Sequence, residues 1–89
     1  MGKNGRDSGT IKELLRTYFK QSIIMMSSID SIREDDSFLE KGILDSTGVL
    51  ELVGFIEKQF QMRVEADEII PDNLDSFNKL VSYIERKTA

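Results

Sequence analysis

The chain contains no histidine and no cysteine. Without histidine there is no imidazole to serve as a general base, which excludes the usual serine-hydrolase arrangement. Without cysteine neither disulfides nor thiolate metal sites can staple the fold; packing alone must hold it, and the redox compartment stays open. Long hydrophobic runs are missing as well. The longest apolar stretch, Ile23-Ile24-Met25-Met26, is far short of the roughly 20 residues that span a bilayer, and no signal-peptide hydrophobic region precedes it. A soluble, cytoplasmic protein with no membrane association is the expectation. Gly2 follows Met1, but Arg6 stands where an N-myristoylation motif requires Ser or Thr. The 89 residues suffice for one small domain with a modest core and leave little room for a deep catalytic cleft.

The net charge of -4 is unevenly spread: residues 30 to 76 hold 13 acidic and 4 basic side chains, whereas both ends are mildly basic. An acidic middle repels phosphate backbones, which argues against nucleic-acid binding there, and attracts cationic protein surfaces. Taken alone, it is a solubilising surface.

Residues 1 to 9, with three glycines, have nothing to bury and read as a flexible tail, so the folded domain is expected over 10–89. Thr10 and Glu13 have capping-box spacing, and Ile11, Leu14, Leu15, Tyr18 and Ser22 follow at helical spacing. From Ser27 to Leu44 periodicity is lost among Ser, Asp and Glu, with Ile29, Ile32, Phe38, Leu39, Ile43 and Leu44 available to pin a long connection onto the core. A second helix starts at Asp45 or Ser46, with Val49, Leu52, Val53, Ile56 and Phe60 in one narrow sector and Thr47, Leu50, Glu51, Gly54 and Lys58 in another. Gln61 to Val64 alternates too briefly for a strand. The single proline, Pro71, opens a helical turn with Asp72 as its cap, and Ser76 caps a last helix bearing Phe77, Leu80, Val81 and Ile84. Met25, Met26 and Met62 read as adaptable core fillers. The fold class is therefore all-α, a small four-helix bundle of three main helices and one short one.

The candidate site is Ser46 within Gly42-Ile43-Leu44-Asp45-Ser46-Thr47-Gly48. Locally, Asp45-Ser46-Thr47 is most simply a helix cap. A nucleophile elbow fails because Leu44 occupies the place of the first glycine, and an EF-hand fails on the acidic spacing around Asp30 to Glu40. No catalytic residue and no metal-ligand set is assigned.

The wider pattern resembles the acyl carrier proteins, or phosphopantetheine-binding carrier domains. Phe38, the approach Gly42 to Ser46, Leu52-Val53, Ile56-Glu57 with Phe60, and Pro71-Asp72-Asn73-Leu74-Asp75-Ser76-Phe77 carry the resemblance, which covers about Thr10 to Lys87. It implies an acyl-carrier-like bundle, a monomer without catalysis of its own. It also implies that Ser46, flanked by Asp45 and Thr47, takes a 4'-phosphopantetheine arm from coenzyme A and carries acyl or aminoacyl thioesters on the arm's thiol. The implied partners are a phosphopantetheinyl transferase, an acyl- or aminoacyl-adenylating ligase and acyl-transferring enzymes. Thr47, Leu50, Glu51, Gly54 and Glu57 form the expected docking face. Two positions depart from typical fatty-acid carriers: Thr47 stands where leucine is usual, and Lys58 breaks the acidic run. Glycine two residues after the serine resembles D-alanyl carrier proteins and other stand-alone carriers loaded by an adenylating ligase. The competing reading is a small acidic helical adaptor in which an unmodified Ser46 acts only as a cap.

Overall fold

A computed structural model describes residues 8–23 and 32–88. Four α-helices occur among the described residues: α1 (Ser8–Tyr18), α2 (Ser46–Phe60), the single turn α3 (Pro71–Leu74) and α4 (Phe77–Thr88). A π-helical turn, Phe19–Ile23, extends α1, a 3-10 turn, Ala66–Glu68, precedes α3, and no strand occurs among the described residues. No described helix is long and apolar enough to cross a membrane.

Each long helix buries one stripe. Ile11, Leu15 and Phe19 come from α1 and its extension, Leu52, Val53, Ile56 and Phe60 from α2, and Phe77, Leu80, Val81, Tyr83 and Ile84 from α4. Spacings of three and four residues place these side chains on one helical face, so three amphipathic stripes close on a shared interior. Leu14 and Tyr18 are only partly buried, and Val49 sits half-buried at the margin of the core rather than inside it.

The centre of the core is aromatic. Phe19, Phe38 and Phe77 are fully buried, with ring centroids 4.8 Å apart for Phe19–Phe38, 5.2 Å for Phe19–Phe77 and 5.1 Å for Phe38–Phe77. Their tilted and edge-on geometries are those that aromatic quadrupoles favour. The Arg16 guanidinium carbon lies 4.5 Å from the Phe77 ring centroid, and its Nη2 donates to the Ile32 carbonyl at 3.3 Å, tying the start of the connecting segment to α1.

Polar bonds fasten that segment to the α3–α4 corner. The Phe38 N–H donates to the Asp75 carbonyl at 2.9 Å, Leu39 N–H to Asp75 Oδ1 at 2.9 Å, and Ser37 Oγ to Asp75 Oδ2. Asn78 adds its N–H to the Glu34 carbonyl at 3.0 Å and its side-chain amide to Asp35. Ile32, Phe38 and Leu44 do pin the connection to the core, whereas Leu39 is 49% exposed. Ile29, Met25 and Met26 lie outside the described residues, as does the expected tail up to Asp7.

Two boundaries and one short turn differ from the sequence expectation. α1 begins at Ser8, so Thr10 lies within its first turn rather than at its cap; the helix runs on through small residues that hydrophobic periodicity does not register. α3 takes Ile70 as its N-cap residue, with no side-chain bond, and Pro71 at its first position, leaving Asp72 inside the turn. Proline's fixed φ and missing N–H suit that first position, which explains why no capping side chain is needed. The 3-10 turn has no counterpart in the hydrophobic pattern; Glu65 and Glu68 cap it reciprocally. Ser76 does cap α4, its Oγ accepting from the Lys79 N–H at 3.1 Å.

Glu68 is the polar hub of this region. Its carboxyl is pushed down from 4.5 to about 2, first by the hydrogen bond from Lys87, then by the Glu65 N–H and the Tyr83 hydroxyl. Burial and the Glu68 carboxylate together push the Tyr83 phenol upward. A carboxyl whose folded pKa lies below its unfolded value adds stability above the unfolded value and loses it as pH falls through the folded one. The stability gap between the parent and Glu68→Gln should therefore narrow as pH drops from about 4.5 toward 2, read as urea midpoints across that range; a gap constant down to pH 2 would contradict the assignment. Phe77→Ala, which empties the aromatic centre, should cost about 3–5 kcal/mol in the same assay at neutral pH.

Candidate functional site

The approach to Ser46 is fixed residue by residue. Phe38 is buried, its carbonyl accepts from the Ile43 N–H at 2.8 Å, and the chain turns back at Gly42. Gly42 has φ +71°, in the left-handed region where a side chain brings strain. Leu44 is then buried, which aims the next residue at the start of α2. Asp45 is the N-cap, with extended backbone, and its Oδ1 accepts from the Gly48 N–H at 2.8 Å. At Gly48 a Cβ would come within 3.1 Å of Leu44 Cδ2 and 3.3 Å of Asp45 Oδ1, so glycine there lets the helix start press against the buried leucine and its cap.

Ser46 is the first helical residue and is exposed. The capping role considered for it belongs to Asp45. Its hydroxyl points to no hydrogen-bond partner among the described residues. A hydroxyl at a helix N-terminus, free of structural duty, can accept a substituent without loss of the cap.

Ser46 does not stand on a featureless surface. Together with Asp45, Val49 and Leu50 it borders a shallow depression completed by Leu39 and Ile69. Leu39, Val49 and Ile69 also line an adjoining open cleft of about 90 Å³, with Leu44, Ile70, Pro71, Leu74 and Asp75. The exposed large apolar side chains Leu50 (63%), Leu39 (49%) and Ile70 (42%) all border one or other of these two hollows. Asp75 is the only ionisable group among the described residues that line the cleft, and its carboxylate oxygens accept from Ser37 and Leu39.

Of the expected docking residues, Leu50 shares the depression with Ser46, while Thr47, Glu51 and Gly54 are exposed on α2 but do not border it. Glu51 lies toward Tyr18, whose phenol is pushed up first by burial and then by the Glu51 charge. Tyr18 in turn stacks on Phe55 at 4.1 Å. Glu57 serves a separate structural purpose. It is half-buried, and its Oε2 accepts from the Val64 N–H at 2.9 Å, fixing the chain that leaves α2. Leu39, Ile69 and Ile70 join the surface of the site without having been expected there. Their signal is faint, since apolar residues in non-periodic segments read first as core pins. No group of three or more acidic side chains is placed to hold a metal among the described residues.

No protein-family model matches the sequence. Curated relatives do: the D-alanyl carrier proteins of Streptococcus sanguinis, Streptococcus gordonii and Streptococcus thermophilus are each 33% identical over 61 residues, covering 68% of this chain and 76% of each relative. The chain belongs to the carrier proteins of the acyl carrier type. The helical bundle is the form expected of this carrier family.

The division of labour between Asp45 and Ser46 is directly measurable. Asp45→Ala should lower unfolding stability by about 1 kcal/mol, the usual value of an N-cap side chain, while Ser46→Ala should leave it within a few tenths. The reverse order in chemical denaturation would return the cap to the serine.

Proposed function

We propose that this chain carries acyl or aminoacyl groups as thioesters on a 4'-phosphopantetheine arm attached to Ser46 Oγ. The observation that supports this most is the exposed, unpartnered Ser46 hydroxyl at the start of α2, with the cap supplied by its neighbour. In the attachment step the Ser46 oxygen forms a bond to the phosphorus of the pantetheine half of coenzyme A while the pyrophosphate link breaks, the nucleotide half leaves as adenosine 3',5'-bisphosphate, and the serine proton passes to a base on the modifying transferase. The arm supplies the thiol that the chain lacks. A phosphodiester there lies against the positive end of a 15-residue helix, a favourable anion position. The chain's own residues hold and orient it: Leu44 and Phe38 fix the backbone before the serine, and Asp45 keeps the helix start closed. No catalysis is required of the chain, since base and metal come with the partner.

The partners are a phosphopantetheinyl transferase, an adenylating ligase that loads the arm, and an acyl-transferring enzyme that unloads it. They meet a monomer in the cytoplasm. Thr47, Leu50, Glu51 and Gly54 offer the docking face, with Glu57 at its edge and Leu39 and Ile70 adding apolar contact beside the serine. The likeness to D-alanyl carrier proteins favours a ligase that activates a small carboxylic or amino acid as the loading enzyme.

With coenzyme A and a broad-specificity transferase, the parent should gain the mass of one arm and Ser46→Ala none, while the variant keeps the parent's circular dichroism. A folded Ser46→Ala chain that gains the arm would overturn the assignment. Glu51→Lys should slow attachment mainly through the association rate and more strongly at low salt, because a rim charge steers encounter. Equal rates for parent and variant at low ionic strength would place the docking face elsewhere.

A further inference from the structure

Between the end of α2 and the start of α4 the chain forms one wall of the cleft beside Ser46. Ile69, Ile70, Pro71 and Leu74 line the cleft, and Ile69 also borders the depression that contains the serine. This wall packs chiefly on α4. Its apolar anchoring is lighter than that of the long helices: Leu74 is the one fully buried residue of α3, Val64 and Ile69 pack against the core only partly buried, and the 3-10 turn buries none. Its two ends are fixed, at Val64 by the Glu57 carboxylate and at Asp75 by Ser37 and the Phe38 and Leu39 N–H groups.

The middle of the wall is held by polar bonds to the last turns of α4. Glu68 Oε1 accepts from the Tyr83 hydroxyl at 2.8 Å, from Lys87 Nζ at 2.9 Å and from the Glu65 N–H at 3.0 Å, and Oε2 accepts from Lys87 Nζ at 3.1 Å. The Glu68 carbonyl accepts from the Ile70 N–H and from Asn73 Nδ2, both at 2.9 Å. Asn73 Oδ1 in turn accepts from Arg86 Nη2 at 3.1 Å. Side chain and carbonyl of one residue thus tie α4 to the backbone immediately before Pro71. Lys87 is also well placed electrostatically, because a cation at a helix C-terminus opposes the exposed carbonyl dipoles.

We propose that Glu68 and Lys87 form a latch that sets the position of the Ile69–Ile70–Pro71 wall, and so act as positioning residues for the surface that partner enzymes meet around Ser46. Its consequence at Ser46 rests on the carrier reading; its effect on the wall does not. Charge-assisted bonds are stronger than neutral ones, and a wall anchored by Leu74 and the half-buried Val64 and Ile69 depends on them more than the three-helix core does. Released, the segment between Val64 and Asp75 would open locally while α1 and α2 stay closed. The cleft would widen, and Ile69 and Ile70 would leave their places beside Leu39 and Leu50.

The test uses the full chain without an arm. In Lys87→Met, backbone amides from Ala66 to Leu74 should exchange with deuterium about tenfold faster than in the parent, with rates in α1 and α2 unchanged within about twofold, the signature of local opening. Glu68→Gln should repeat the pattern, and Lys87→Arg, which keeps the charge and the donors, should restore the parent's rates. In transferase kinetics Lys87→Met should raise KM for the carrier several-fold with kcat little changed, a split that a general loss of stability does not produce. Unchanged exchange over Ala66–Leu74, equal acceleration in α1 and α2, no rescue by arginine, or an unchanged KM would each overturn the latch as a positioning device. A parent chain that accepts no arm yet shows the local exchange pattern would overturn the carrier reading and leave the latch on the wall standing.

Discussion

The placement of Phe38 between Phe19 and Phe77 is the contact on which the site depends. Phe38 belongs to a segment without regular structure, yet it is fully buried, and its backbone is bonded on one side to Asp75 and on the other to Ile43. Fully burying such a ring is worth about 1.5–3 kcal/mol, enough to fix a segment that gains nothing from helix hydrogen bonds. From that fixed point the chain turns at Gly42, buries Leu44 and reaches Asp45 within two short steps. Everything that presents Ser46 to solvent follows from holding Phe38 still.

Around this apolar pin the structure uses carboxylates as fasteners. Asp45 closes α2, Glu57 holds the stretch of chain that leaves it, Glu68 ties the wall before α3 to α4, and Asp75 binds the connecting segment to the α3–α4 corner. The acidic excess of the central residues is therefore partly structural, since several of these side chains have backbone N–H groups or lysine as partners. Glu51 is exposed on α2, and the proposed docking face assigns it the steering of cationic surfaces toward the serine. Beside the polar face lies an apolar one, made by Leu39, Leu50 and Ile70; on the proposed reading a partner is offered charge for encounter and hydrophobic area for contact.

The helical class and three main stripes were legible in the sequence because spacings of three and four residues report burial directly: Leu52, Ile56 and Phe60 on α2, Leu80 and Ile84 on α4. Ser76 as a cap and Pro71 as a helix opener were legible from local chemistry. The start of α1 was not, because Ser8 and Gly9 carry no apolar signal, and Phe19 entered the core one position beyond the residue the stripe suggested. Asp45 and Ser46 could not be separated by composition, since either side chain can cap; only the bond to the Gly48 N–H decides between them. The latch on Glu68 was hidden for a different reason. Lys87 and Tyr83 lie 19 and 15 residues away along the chain, and no short-range pattern encodes such a meeting.

In the proposed reading Ser46, freed from structural duty by Asp45, is the one residue of this chain that takes a covalent arm. Fragmentation mass spectrometry of the parent chain, digested after incubation with coenzyme A and a broad-specificity transferase, tests it most directly. A single modified peptide is expected, with fragment ions that place the phosphodiester on Ser46 and leave Thr47 and the other hydroxyl residues unmodified. An arm on another residue, or an unmodified chain under conditions that load a known carrier, would contradict it.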